Sequence, residues 1–169
     1  MNENLLYKIK KLNLAGISQT MSMRIEQASK ESFSHLEFLE LLIEDEYLNR
    51  SRNKRTKLMG SAHFPQHKTL EEFSFSFQPS LRRSQIYGMG TCEFIRKKEN
   101  IAFIGFPGTG KTHLSIALGI KAVEQGYSVF FTTLSAMLED LYMARADNSF
   151  RQKLKRYMQP DLLIIDELG

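Results

Sequence analysis

The sequence predicts an α/β domain, with a parallel sheet covered by helices on both faces in three layers, preceded by a small all-α module. From residue 100 onward, short apolar segments alternate with segments of helical character, which is typical of a parallel sheet with crossover helices. Residues before that point have the apolar spacing of helices. Hydrophobic residues make up 42% and charged residues 25% of the chain, as in ordinary globular domains.

Length, charge and cysteine usage narrow the class of protein. The 169 residues suit one domain, or one domain with a small extra module. A net charge of +4 is compatible with a nucleic-acid partner without identifying one. Cys92 is the single cysteine, which excludes an internal disulfide and a cysteine-cluster zinc site and favours a reducing, cytoplasmic setting. No signal peptide and no apolar run of membrane-spanning length are present, so no membrane association is expected.

Residues 1–59 are predicted to form the helical module, which is expected to bind DNA or a partner. A first helix is expected over residues 5–14, ending at Gly16. A second helix is expected from Ser34, because Ser34 followed by Glu37 matches the capping box that begins many helices. Its apolar stripe comprises Leu36, Leu39, Leu42, Ile43 and Tyr47.

The C-terminal end of this second helix is predicted to be basic. Cations at that position complement the helix dipole. Five basic residues within eight positions also form a candidate surface for DNA phosphates, although such clusters are usually just solvated helix ends. These residues are Arg50, Arg52, Lys54, Arg55 and Lys57.

Residues 60–80 are predicted to form a linker. They contain Gly60 and two prolines and show no clean period, which is typical of irregular structure. Phe73, Phe75 and Phe77 alternate with serine and could form a short extended segment that packs on a neighbour. A short helix is expected over residues 81–92.

Residues 81–169 are predicted to form the α/β domain. Strands are expected at residues 101–105, 128–132 and 162–166, separated by helices at 111–125, 134–145 and 150–158. Gly126 is expected to end the first of these helices, since glycine is common just past a helix C-terminus.

One segment of this domain matches the phosphate-binding pattern G-x-x-x-x-G-K-[ST] without a mismatch. Its residues are Gly105, Phe106, Pro107, Gly108, Thr109, Gly110, Lys111 and Thr112. Glycines let backbone N–H groups turn toward phosphates, and the following helix N-terminus adds partial positive charge. Lys111 is expected to reach the β- and γ-phosphates, and the Thr112 hydroxyl to bind Mg²⁺. The sequence therefore predicts a nucleoside triphosphate site.

The strand at residues 162–166 ends in two acids, Asp166 and Glu167. Carboxyl ends of strands are where ligands bind in open α/β sheets. Asp166 is expected to hold Mg²⁺ through water, and Glu167 to polarise the attacking water as a general base. The alternative is a buried strand that simply leads into acidic loop residues.

Several segments resemble the IstB family of ATP-binding helper proteins of insertion-sequence transposition, which are related to DnaC-type helicase loaders. The resemblance runs through nearly the whole chain. It is most specific at residues 98–101, 105–114 and 161–169, and it extends to Glu46, Arg50 and Arg52 and to the joining segment at residues 68–73.

The resemblance implies an AAA+ ATPase that uses ATP and Mg²⁺, binds double-stranded DNA, assembles with itself and cooperates with a transposase. His113 matches the family pattern next to the phosphate loop, although packing is the favoured role for it. Family members are longer, so the sensor strand, the arginine finger and the C-terminal helices are expected to be missing. We therefore expect ATP hydrolysis by this chain alone to be weak or absent.

Two alternatives to the transposition helper follow from the same residues. One is a DnaC-type replicative helicase loader, which would use the N-terminal module to grip a protein ring. The other is a truncated, non-enzymatic remnant that keeps nucleotide or DNA binding.

Overall fold

The computed structural model describes residues 3–146 and 148–168. The chain divides into two compact units, Met1–Lys54 and Arg55–Gly169. In the described ranges, no helix combines the length and apolar character that a bilayer crossing needs.

The first unit is helical, as the sequence predicts. Its elements are α1 (Glu3–Lys11), α2 (Ala15–Glu31) and the greater part of α3 (His35–Ser61). Their apolar faces meet in a small core of Ile9, Ile17, Met21 and Leu42. The predicted capping box is confirmed: the Ser34 amide donates to Glu37 Oε2 at 2.7 Å, and the Glu37 amide donates to Ser34 Oγ at 3.2 Å.

Gly16 has a different role from the predicted one. The chain leaves α1 at Asn13, which has a φ of 55°, and Gly16 lies in the first turn of α2, a helix that the sequence prediction omitted. A Cβ at position 16 would stand 2.6 Å from the Asp45 carbonyl oxygen and 2.7 Å from Glu46 Cα. Glycine is therefore needed here because α2 and α3 approach at backbone distance, not because a helix ends.

The carboxylate of Glu46 is buried where those two helices meet, and only 6% of the residue is exposed. Its Oε2 accepts hydrogen bonds from the amides of Gly16 (2.7 Å) and Ile17 (3.3 Å), which are orphan donors at the start of α2. Its Oε1 accepts from Arg50 Nε at 2.7 Å. Burial raises the pKa of Glu46, but the hydrogen bonds from Arg50, Ile17 and Gly16 outweigh it and leave the pKa below its usual 4.5.

The second unit contains the remaining elements of the chain. Along the sequence these are a 3₁₀ turn (Phe75–Phe77), α4 (Arg83–Met89), α5 (Glu93–Lys97), α6 (Lys111–Glu124), β1 (Val129–Thr133), α7 (Leu134–Ala146), α8 (Phe150–Met158) and β2 (Leu162–Asp166). From residue 111 onward the predicted elements are confirmed to within one residue at each boundary. Gly126, with a φ of 89°, follows α6 as predicted.

The sheet of this unit is a parallel pair. β1 and β2 run side by side in register from Val129 opposite Leu162 to Thr133 opposite Asp166. The core beneath them includes Ile116, Ile120 and Val123 of α6, packed against Val129, Phe131 and Ile164. A mixed helical unit with a small parallel sheet is the part of the predicted fold class that the structure shows.

The third predicted strand, at residues 101–105, is not formed. A strand exists only where a neighbour pairs with its backbone N–H and C=O groups, and among the described residues β1 and β2 pair only with each other. Ile104 is 95% exposed as a result. The predicted helix over residues 81–92 is shortened to α4 (Arg83–Met89). Cys92, in a left-handed conformation at a φ of 57°, separates it from α5, which was not predicted.

Residues 60–80, predicted as a linker, pack into the second unit. Leu70 and Phe73 are buried in a cluster with Ile86 and Leu114. The Ala62 carbonyl accepts a hydrogen bond from the Phe131 amide at 2.8 Å. The segment is irregular because it follows this packing surface, and the compact units divide after Lys54 instead of at residue 59.

Candidate functional site

The glycine-rich loop at residues 105–110 leads into α6, which begins at Lys111. Gly108 and Gly110 have φ angles of 78° and 87°, a left-handed conformation that glycine adopts without a Cβ clash. Thr109 Oγ1 donates to the Phe106 carbonyl oxygen at 2.8 Å and closes the turn. The loop therefore has the left-handed glycine conformations that are expected of a phosphate cradle.

The Lys111 side chain folds back over this loop. Its Nζ donates to the carbonyl oxygens of Gly105 at 2.7 Å and Phe106 at 2.9 Å. These are hydrogen bonds to neutral acceptors, so an anionic phosphate oxygen would be a stronger partner for the same ammonium group. The Lys111 ammonium group, which is predicted to contact the β- and γ-phosphates, thus already lies against the loop.

Thr112 and Asp166 meet although 54 residues separate them in the sequence. Thr112 Oγ1 donates to Asp166 Oδ2 at 2.8 Å, and both residues are half-buried. The contact joins the first turn of α6 to the carboxyl end of β2. Glu167 comes next, exposed to solvent and in a left-handed conformation with a φ of 57°, which is uncommon for a residue with a side chain.

The chemistry of this pair suits Mg²⁺. A hydroxyl and a carboxylate supply hard oxygen donors, and Mg²⁺ is usually bound by one or two protein groups together with water and substrate phosphates. Within residues 3–146 and 148–168, no cluster of three or more His, Cys, Asp or Glu side chains could hold a metal ion.

His113 faces a different partner from its neighbours in the loop. Its Nε2 lies 2.8 Å from the Thr69 carbonyl oxygen, and its ring packs edge-on against Phe73 at 5.3 Å between centroids. The proximity of Thr69 and Phe73 to the loop was not predicted from the sequence. The signal was present in Thr69 and Glu72, which have capping-box spacing and exchange hydrogen bonds of 3.0 and 3.2 Å.

The candidate DNA-contacting residues are all exposed on α3. Arg50, Arg52 and Lys54 belong to the first unit, and Arg55 and Lys57 to the second. Because α3 continues to Ser61 and has no basic residue in its last turn, the predicted dipole complement is wrong and these cations lie within the helix. Arg50 is also committed in part to Glu46.

A phosphate loop, a lysine above it and a hydroxyl–carboxylate pair beside it form one connected site at the start of α6. The family model described as IstB-like ATP binding protein matches residues 7–169 of this chain. The chain belongs to the IstB-like ATP-binding protein family. Its loop and its acidic strand end both lie within the matched region.

Individual relatives of this IstB-like chain bear names from insertion sequences. It is 34% identical over 161 residues to a protein of Pseudomonas aeruginosa named as an ATP-binding protein of insertion sequence IS21, covering 95% of this chain and 61% of the relative. It is 35% identical over 169 residues to one of Geobacillus stearothermophilus, named for IS5376, covering 100% and 67%. A Bacillus thuringiensis protein named for IS232 is 32% identical, with coverage of 99% and 67%. The chain thus spans about two thirds of the length of these relatives.

Proposed function

We propose that this IstB-like chain binds ATP together with Mg²⁺ and acts as the ATP-dependent helper of insertion-sequence transposition. The observation that supports this most strongly is the 2.8 Å contact between Thr112 Oγ1 and Asp166 Oδ2. It brings the end of the phosphate loop and the end of the acidic strand to one point, where a Mg²⁺–triphosphate complex needs both. Names of the relatives support ATP binding and an insertion-sequence context.

Each site residue has a distinct role in this proposal. The backbone amides of residues 105–110 and the N-terminus of α6 bind the phosphates, and Lys111 turns from the loop carbonyls to the β- and γ-phosphates. Thr112 and Asp166 hold Mg²⁺, Asp166 through a water molecule. The metal would neutralise charge on the phosphates, and Glu167 would orient and deprotonate the attacking water.

The wider function belongs to the same proposal. We infer an AAA+ domain whose assembly with further copies on double-stranded DNA depends on ATP, and which works with a transposase in the cytoplasm. The insertion-sequence names of the relatives favour this function over that of a replicative helicase loader. Exposed cations of α3 are the proposed phosphate contacts on DNA.

ATP binding is tested by titrating the chain with a fluorescent ATP analogue and Mg²⁺. Replacing Lys111 with alanine should weaken binding at least about tenfold, because a charge-assisted contact to phosphate is lost. Lys30→Ala is the matched control, since Lys30 is an exposed lysine on α2. A chain that fails to bind ATP, or a Lys111→Ala variant that binds like the Lys30→Ala control, would refute the proposal.

Catalysis and DNA contact need separate measurements. Glu167→Gln should keep ATP binding, because a general base acts on the attacking water, and should lower the weak single-turnover hydrolysis expected of the wild-type chain by a further factor of about 100 or more. For DNA, Lys54→Gln with Arg55→Gln should reduce the slope of log K against log salt by about 0.9 per lost phosphate contact. The double control Lys97→Gln with Lys98→Gln removes the same charge elsewhere. An unchanged salt slope in the α3 variant would remove α3 from the proposed DNA surface.

A further inference from the structure

The phosphate loop is supported from one side by a turn formed by residues 69–73, here named the 69–73 turn. Phe73 of this turn lies against Gly110: an ideal Cβ on Gly110 would stand 2.5 Å from Phe73 Cε2 and 3.2 Å from Phe73 Cζ. Gly110 therefore has two reasons to be glycine, its φ of 87° and the aromatic ring packed on its α-carbon.

His113 provides the second point of support. The Thr69 carbonyl oxygen can only accept a hydrogen bond, so Nε2 of His113, 2.8 Å away, must carry the proton that it donates. The imidazole ring also meets the edge of Phe73. One side chain of α6 thus binds both the backbone and the aromatic residue of the 69–73 turn.

The 69–73 turn is itself held in place. Thr69 and Glu72 exchange two hydrogen bonds across it. Phe73 is buried, with 9% of its surface exposed, and packs in a cluster with Ile86, Leu114 and Leu118. Its ring also meets Phe75 at 4.9 Å between centroids. The support is therefore a rigid feature of the second unit.

This arrangement matters because the other side-chain hydrogen bonds that hold the loop, from Thr109 Oγ1 and Lys111 Nζ, lie within residues 105–111 and do not join the loop to the rest of the unit. Three of its residues are glycines, Ile104 and Phe106 are highly exposed, and no described strand pairs with the segment that precedes it. Glycine loses the most conformational freedom on ordering. A loop that occupies its binding-competent form only part of the time binds its ligand more weakly in the same proportion.

We propose that Phe73 and His113 are positioning residues that pre-organise the phosphate loop by clamping Gly110 and the first turn of α6 to the 69–73 turn. The inference rests on the proposed function, because its ligand is the triphosphate of that site. In this proposal the two side chains act through the loop and not through a contact with phosphate or base. Their effect is therefore the same for any ligand that uses the loop, with or without a nucleoside.

The test compares two ligands, Mg²⁺–ATP and Mg²⁺–tripolyphosphate, on the full 169-residue chain. Phe73→Leu and His113→Leu should each weaken both ligands by the same factor, about fivefold to tenfold, the effect expected from one hydrogen bond or an equivalent set of contacts. His113→Gln should restore wild-type affinity, because its side-chain amide can donate to the Thr69 carbonyl. Thermal unfolding and circular dichroism identify the folded variants that are compared.

Four other outcomes would overturn the inference, the role of the hydrogen bond or the proposed function. Unchanged affinities in folded Phe73→Leu and His113→Leu chains overturn the inference. Weaker ATP binding with unchanged tripolyphosphate binding also overturns it, since it would show a contact with the nucleoside. Failure of His113→Gln to restore affinity overturns the role of the hydrogen bond. A wild-type chain that binds neither ligand refutes the proposed function itself, and this inference with it.

Discussion

Thr112 Oγ1 donates a 2.8 Å hydrogen bond to Asp166 Oδ2. Both residues sit at ends of regular elements: Thr112 in the first turn of α6, and Asp166 at the last position of β2. Their positions are fixed by the packing of α6 against the β1–β2 pair, since Ile120 of α6 and Ile164 of β2 belong to one core. The site is therefore positioned by the core of the second unit and not by the loop alone.

The Thr112 hydroxyl should be required for the Mg²⁺ dependence of ATP binding. Thr112→Val keeps the shape of the side chain and removes the oxygen, so we expect Mg²⁺-dependent ATP affinity to fall about tenfold or more. Thr112→Ser keeps the oxygen and should bind within about threefold of wild type. Titration calorimetry in Mg²⁺ measures both variants. Equal affinities for the valine and serine variants would show that the hydroxyl is not a ligand.

Gly16→Ala should destabilise the helical unit. The added methyl group would meet the backbone of Asp45 and Glu46, and overpacking of this kind costs about 1–3 kcal/mol. Gly60→Ala is the control, because Gly60 lies in α3 with open space around it. Alanine there should be neutral or stabilising by up to about 1 kcal/mol. Urea unfolding followed by circular dichroism gives both values, and equal effects would contradict the close approach of α2 and α3.

Glu46 should make the stability of the same unit depend on acidic pH. Since the folded-state pKa of Glu46 is lowered, its contribution is present above the usual pKa of 4.5 and is lost as the pH falls through the lower folded-state value. Glu46→Gln should therefore cost about 1.5–3 kcal/mol at neutral pH and much less once the wild-type carboxyl is protonated. Glu44→Gln, at an exposed position of α3, is the control. A Glu46→Gln effect that does not change with pH would disprove the account of this carboxylate.

Tyr157 should ionise at an unusually high pH. Burial first, and then its 2.9 Å hydrogen bond to the Asp140 carboxylate, raise its pKa to about 12. This contribution to stability is present below the usual pKa of 10 and is lost as the pH rises through 12. Phenolate absorbance should show a titration step near pH 12, and Tyr157→Phe should remove that step. Tyr142→Phe, at an exposed position, should leave it. A step near pH 12 that is missing from the wild-type chain, or that survives Tyr157→Phe, would contradict the prediction.

Sequence patterns correctly predicted the features that depend on interactions between residues close together in the chain. The capping box at Ser34 and the bounds of α8 follow from hydrogen bonds and periodicities between near neighbours in the chain. The positive φ angles of Gly108 and Gly110 agree in the same way with a sequence pattern that has glycine at those positions.

Three features that depend on tertiary contacts between distant residues were predicted wrongly or not at all. A strand at residues 101–105 requires a neighbour, which no periodicity reveals. Gly16 looks like a helix breaker until the backbone of α3 is placed beside it. Phe73 reads as part of an irregular segment, although its ring covers Gly110 thirty-seven residues later. In each case the sequence shows the residue and the tertiary contact gives it a role.

Thr112 and Asp166 are proposed to hold together the Mg²⁺ that accompanies ATP. Titration calorimetry of ATP into the wild-type and Asp166→Asn chains, with Mg²⁺ and then with a chelator in its place, tests this proposal. We expect Mg²⁺ to tighten wild-type binding about tenfold or more and Asp166→Asn to lose most of this gain. Equal ATP affinity of the wild-type chain with and without Mg²⁺ would contradict it.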